Sequence, residues 1–161
     1  MVDVYYQKNI AATPKELCDT LLDHQNLSDF FNASFKVLKA ENDNEISGGK
    51  GCVREVTILS VRFKEEIIHA DTNGIEYRVV DDFPVKAHRG VIAFTQQENS
   101  TNVSYRITCR APWYIPNWLL TRLLQNDIEQ CLDKLGARFD PRWTYFARVK
   151  PRISTVCFCW I

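Results

Sequence analysis

The segment TNVSYRITCRAPWYIPNWLLTRLLQNDIEQCLDKLG, residues 101–136, changes periodicity partway along. Val103, Tyr105, Ile107 and Cys109 alternate with polar residues, the period-two pattern of a strand with one face buried. Beyond Pro112 and Pro116, Leu120, Leu124, Ile128, Cys131 and Leu135 recur at spacings of four and three, which is the apolar stripe of an amphipathic helix. Arg122, Gln125, Asn126, Glu129 and Asp133 fall off that stripe. The spacing predicts a helix from about residue 115 to 135, roughly 30 Å long, with Gly136 as its C-terminal stop. A strand that feeds a long terminal helix is therefore the closing element of the fold.

Upstream of this segment the strand pattern repeats. Runs at 35–41, 52–59, 61–70, 75–81, 86–97 and 101–110 are rich in β-branched and aromatic residues. Between them stand Asn42-Asp43-Asn44, Gly48-Gly49-Lys50-Gly51, Asp71-Thr72-Asn73-Gly74, Asp82-Phe83-Pro84 and Glu98-Asn99-Ser100, all turn chemistry. With a first strand at 4–10 this makes seven, joined by connections too short for parallel crossovers, so neighbours pair as antiparallel hairpins. After the first strand, Thr13-Pro14-Lys15-Glu16 offers an N-cap, a proline at the first helical position and a capping-box glutamate. Leu17, Cys18, Leu21 and Leu22 share a face of that helix, and Asp23-His24-Gln25-Asn26 reads as a polar break before a second short helix at 27–31. The expected fold is α+β: a curved seven-stranded antiparallel sheet wrapped around a long C-terminal helix, with two short helices after the first strand.

A chain of 161 residues buries roughly two-thirds of its unfolded surface, enough for a core without staples. Its formal net charge of zero gives no global attraction to nucleic acid. The N-terminus reads as strand instead of a signal peptide, and no apolar run is long enough for a membrane span. The cysteines at 18, 52, 109, 131, 157 and 159 lack metal-finger spacing and read as reduced thiols of a cytoplasmic protein.

Residues 3–138 resemble the START/Bet v-type superfamily with its helix-grip fold, in particular polyketide cyclase/dehydrase-like and coenzyme-Q-binding-like members. The resemblance rests on the Ala11-Ala12-Thr13-Pro14-Lys15-Glu16-Leu17 helix start, the Gly48-Gly49-Lys50-Gly51-Cys52-Val53-Arg54 turn into a strand, the Lys64-Glu65-Glu66-Ile67-Ile68-His69-Ala70-Asp71 strand end and the closing helix. It implies a helix-grip domain over 1–138 with a cavity between sheet and helix. It implies no shared catalytic signature and no cofactor, because lipid carriers, hormone-binding proteins and cyclases share this architecture.

Strand alternation selects the candidate lining. In 61–70, Val61, Phe63, Glu65, Ile67 and His69 share one face; in 52–59, Cys52, Arg54, Val56 and Ile58 do; Tyr77 pairs with Val79, and His88 with Ile92 and Phe94. The expected ligand-binding set is Arg54, Val56, Phe63, Glu65, His69, Tyr77, Phe94, Tyr105, Trp113, Leu120 and Leu124, a mainly apolar wall with a few polar points. Trp113 enters as part of the aromatic stretch 111–118, read either as a cavity rim or as a loop anchor. Glu65, His69 and His88 are the acid–base candidates, with Arg54 and Tyr105 in support. Arg54 and Glu65 also read as a simple cross-strand ion pair at the sheet edge or solvent face.

Gly48–Gly51 precedes a strand and lacks the Gly-Lys-Ser/Thr ending of a phosphate loop. Residues 139–161 form a basic-aromatic extension. From Arg138 onward the chain carries a net charge of +4, which suits peripheral contact with an anionic membrane or a protein. Cys157 and Cys159 alone leave a metal shell incomplete. The expected function is binding or transport of a small hydrophobic molecule such as a lipid, isoprenoid quinone or aromatic polyketide, without catalysis. The alternative is a cyclase or dehydratase using the acid–base residues of the same cavity.

Overall fold

The computed structural model describes residues 1–81 and 83–140. Strand β1 (Val2–Ile10) leads into helix α1 (Pro14–Leu22), whose start is fixed by the expected capping box. The Thr13 hydroxyl accepts the Glu16 backbone N–H at 3.3 Å, and the Glu16 carboxylate accepts the Thr13 N–H at 2.8 Å. Two of the otherwise unsatisfied N–H groups of the helix start are thereby paired. Leu17, Cys18, Leu21 and Leu22 are buried against the core. The second expected helix is shorter than its composition suggests: Leu27–Asp29 makes one 3-10 turn, stopped before Phe30 and Phe31 turn into the next strand.

Six more strands follow: β2 (Ser34–Lys39), β3 (Val53–Ile58), β4 (Val61–Asp71), β5 (Gly74–Val79), β6 (Lys86–Gln96) and β7 (Thr101–Arg110). They form one antiparallel sheet in the order β1-β7-β6-β5-β4-β3-β2. Each strand from β2 to β7 pairs with its neighbour in sequence, and the first strand returns to pair with the last. The alternation in β7 is complete, with Thr101, Val103, Tyr105, Ile107 and Cys109 all buried.

The closing helix α2 (Asn117–Phe139) passes through Gly136 and ends three residues later, so this glycine is not the expected stop. It meets a neighbour instead. A Cβ at Gly136 would lie 3.1 Å from Cε of Lys8 on β1, whose ammonium binds Asp133 of α2 at 2.5 Å. Gln125 of the same helix donates to the Tyr5 carbonyl of β1 at 3.3 Å. Helix α2 therefore lies along β1 and touches β7, at one side of the sheet. On its other side it is tied to the segment before β2, by Asn32 to Gln130 at 3.0 Å and by the Arg138 guanidinium over the Phe30 ring. Ile128, Cys131, Leu132 and Leu135 are fully buried.

The described cysteines, Cys18, Cys52, Cys109 and Cys131, are free and buried. Burial pushes the Cys131 thiol up to about 12, which leaves it an inert packing group. No described helix is long and apolar enough to cross a membrane. The basic-aromatic extension, Cys157 and Cys159 included, lies outside the described residues apart from Phe139 and Asp140.

Candidate functional site

The inward faces of β3 to β7, helix α2 and the 27–35 segment enclose a cavity of about 330 Å³. This size lies at the lower end of the range for small-molecule sites. Its origin is the position of α2. A helix anchored on β1 cannot fill the space above β3, β4 and β5, and the curve of the sheet turns those strands toward it.

Eight residues expected in the lining are there: Arg54, Val56, Phe63, Glu65, Tyr77, Tyr105, Leu120 and Leu124. His88 joins them. Three others are not, each for an identifiable reason. Between Ile67 and His69 the pairing of β4 with β5 slips by one residue at a β-bulge, so Ile67 faces Tyr77 but His69 faces Glu76. Past the bulge the alternation inverts: Ala70 points inward and His69 outward, where it sits 3.2 Å from Asp71. His69 is thus removed from both the ligand-binding and the acid–base set. Phe94 is buried in the core near the β4–β5 turn, its backbone N–H bonded to Asn73, at the end of the sheet that α1 covers. Trp113 is 96% exposed and stacks edge-on against Tyr114, away from the lining.

Arg54 and Glu65 stand directly opposite each other on β3 and β4, and both are buried. This places the pair inside the molecule, not on the sheet edge or solvent face of the simpler reading. Arg54 donates from Nη2 and Nε to Glu65 Oε2 at 2.7 and 3.0 Å. Its Cζ lies over the rings of Phe35 and Tyr77, 5.0 and 5.5 Å from their centroids. A third bond runs from Nη1 to Nδ1 of His24 at 3.1 Å, and His24 Nε2 donates to the Gly48 carbonyl at 3.0 Å. The imidazole accepts from a cation at one nitrogen and donates at the other, so it must be neutral. Burial, then the Arg54 charge, lowers its pKa to about 4.

The glycine-rich turn acquires its role here. Gly48 has φ +72°, and a Cβ on it would strike the Leu22 carbonyl, so only glycine lets the turn close onto the end of α1 and meet His24. His24 was missed in sequence because it reads as part of a polar break. The signal was present, since Leu17, Leu21 and His24 continue one helical face at spacings of four and three.

Deeper in the cavity the hydroxyls of Tyr77 and Tyr105 bond to each other. Burial raises both phenol pKa values, and the neighbouring Glu65 charge adds to the shift of Tyr77. Tyr77 lies opposite Gly90 of β6, and any side chain there would overlap its ring. The His88 ring sits 5.5 Å from that of Tyr77, with Nδ1 buried and unpartnered among the described residues, and desolvation lowers its pKa. Asp127 of α2 also lines the cavity; its carboxylate has no hydrogen bond or ion pair to a described residue, and burial raises its pKa. Residues that sequence reasoning does not place in the lining include Asp127, Phe31 and Phe35, since α2 reads by its apolar stripe, 27–31 as a short helix and 35–41 as a strand.

No group of three or more metal-ligating side chains occurs among the described residues. The chain matches a family model described as polyketide cyclase/dehydrase and lipid transport over residues 1–140. No curated protein matches it. Among solved structures, a START superfamily protein from Mycobacterium smegmatis superposes with a TM-score of 0.72 at 11% identity, covering 86% of this chain and 97% of its own. A protein from Thermus thermophilus gives 0.68 at 19%, covering 92% and 99%. XoxI from Bacillus cereus gives 0.65 at 16%, covering 88% and 98%. At these identities the likeness is one of fold.

Proposed function

The chain belongs to the polyketide cyclase/dehydrase and lipid transport family, and from that premise we propose that it binds and carries one small hydrophobic molecule in the cavity between sheet and α2. The observation that supports this reading is the cavity itself: about 330 Å³, walled mainly by aliphatic and aromatic side chains, with polar groups on β3 to β7, Asp127 and Gln130 on α2, and Asn32 before β2. A space of this size suits a compact ring system, such as an aromatic polyketide or a quinone headgroup, better than a long acyl chain. The buried pair is costly to desolvate, and the bond of Arg54 to His24 and its contacts with two aromatic rings offset that cost.

The alternative, cyclisation or dehydration in the same cavity, draws on Glu65, His88 and the phenol pair as acid–base groups. His88→Gln separates the two readings, since a carrier keeps its bound molecule and an acid–base enzyme loses turnover. The carrier reading is tested by native mass spectrometry of the purified protein, followed by analysis of its organic extract. The expected result is one added small molecule per chain, recovered in the extract. A protein that stays at its unliganded mass after incubation with lipids, quinones and aromatic polyketides overturns it.

A further inference from the structure

We propose that the cavity selects uncharged molecules bearing a hydroxyl or carbonyl group and rejects carboxylates. The inference rests on the binding reading above and concerns what the same site recognises.

Among the described residues, Arg54 is the only cationic side chain of the lining, and a ligand carboxylate would have to use it. Its side-on fork, Nε with Nη2, is already filled by Glu65, and Nη1 is engaged by His24. The guanidinium carbon also lies over two aromatic rings, those of Phe35 and Tyr77. The positive charge is therefore neutralised at contact distance, and the side-on fork, the face best shaped for a carboxylate, is occupied from within. Asp127 adds a second carboxyl to the lining with no cation beside it among the described residues, so the lining is formally negative. An entering anion meets like charge where burial weakens the screening by water.

What remains unspent suits a neutral oxygen function. Two phenols that share one hydrogen bond hold two protons, so one O–H of the Tyr77–Tyr105 pair is left to donate. Both bonds from Arg54 fall on Oε2 of Glu65, which leaves Oε1 to accept. A ligand hydroxyl answers both groups, a carbonyl answers the donor, and neither brings a charge.

The test uses four compounds on one ring frame, naphthalene, 2-naphthol, 2-acetylnaphthalene and 2-naphthoate, each titrated calorimetrically into the whole protein at neutral pH. The expected order places naphthol and acetylnaphthalene above naphthalene, and naphthoate weakest, about ten-fold or more below naphthol. Asp127→Asn, a change on a half-buried group with no described partner, raises naphthoate affinity relative to naphthol and narrows the gap between the two. Naphthoate binding as tightly as naphthol overturns the inference while the cavity reading stands. If none of the four compounds binds, the cavity reading fails, and the selectivity with it.

Discussion

His24 shows how much one side chain can determine. It is held neutral between a cation and a carbonyl, with its pKa at about 4 against an ordinary 6.5. The folded value lies below the unfolded one, so on acidification the unfolded chain takes up the proton first. Stability contributed by His24 is fully present above pH 6.5 and is lost as the pH falls from 6.5 toward 4. The loss amounts to about 3 kcal/mol by the foot of that window. His88, whose pKa is also lowered by burial, acts in the same direction. Urea unfolding of the wild type and of His24→Gln at a series of pH values checks this: the glutamine variant should lose about 3 kcal/mol less between neutral pH and pH 4. Parallel curves for the two proteins would refute the assignment. At this scale the sequence was only partly legible. Alternation placed Arg54, Glu65, Tyr77 and Tyr105 on the cavity side, because their strands run regularly through those positions. It failed at His69, because one extra residue in β4 reverses every side chain beyond it and leaves no mark in composition.

Two glycines distinguish the demands of elements. Gly90 in β6 faces the ring of Tyr77, a buried ring that can move aside only by giving up its bond to Tyr105. Gly136 in α2 faces only the flexible end of Lys8, which is half-exposed. Alanine at position 90 should therefore cost about 1–3 kcal/mol and push Tyr77 off its partner into the cavity. Alanine at position 136 should be neutral or stabilising by up to about 1 kcal/mol, since helix propensity is gained and Lys8 can swing away. Denaturant midpoints of the two variants decide the matter, and equal losses would contradict this view of the packing. The same pair explains what was legible among the elements. Seven strands and the long helix were readable from periodicity and turn residues, and the start of α1 from its cap. The end of α2 was not, because a glycine inside a helix, here beside the flexible end of Lys8, looks in sequence like a glycine that stops one.

For the whole molecule, the consequential fact is the lateral placement of α2. Its ties to β1, through Lys8–Asp133 and Gln125–Tyr5, and to the 27–35 segment, through Asn32–Gln130, hold it at one side of a curved sheet. The volume left over β3 to β5 is kept open by these ties and closed at one wall by the buried pair of Arg54 and Glu65. That such a cavity exists followed from the order of elements; its size and its unspent polar groups did not, since they depend on register and on where the helix is anchored. Leu124 projects from α2 into this space and is only partly buried, at the margin of the core. The most direct test of the account is fluorescence titration with the uncharged probe N-phenyl-1-naphthylamine, applied to the wild type and to Leu124→Trp, which fills the cavity from the helix side. The account predicts saturable binding of one probe per wild-type chain and at least about ten-fold weaker binding to a variant whose thermal midpoint has not fallen. Equal binding by the two proteins would place the ligand elsewhere and contradict the central claim.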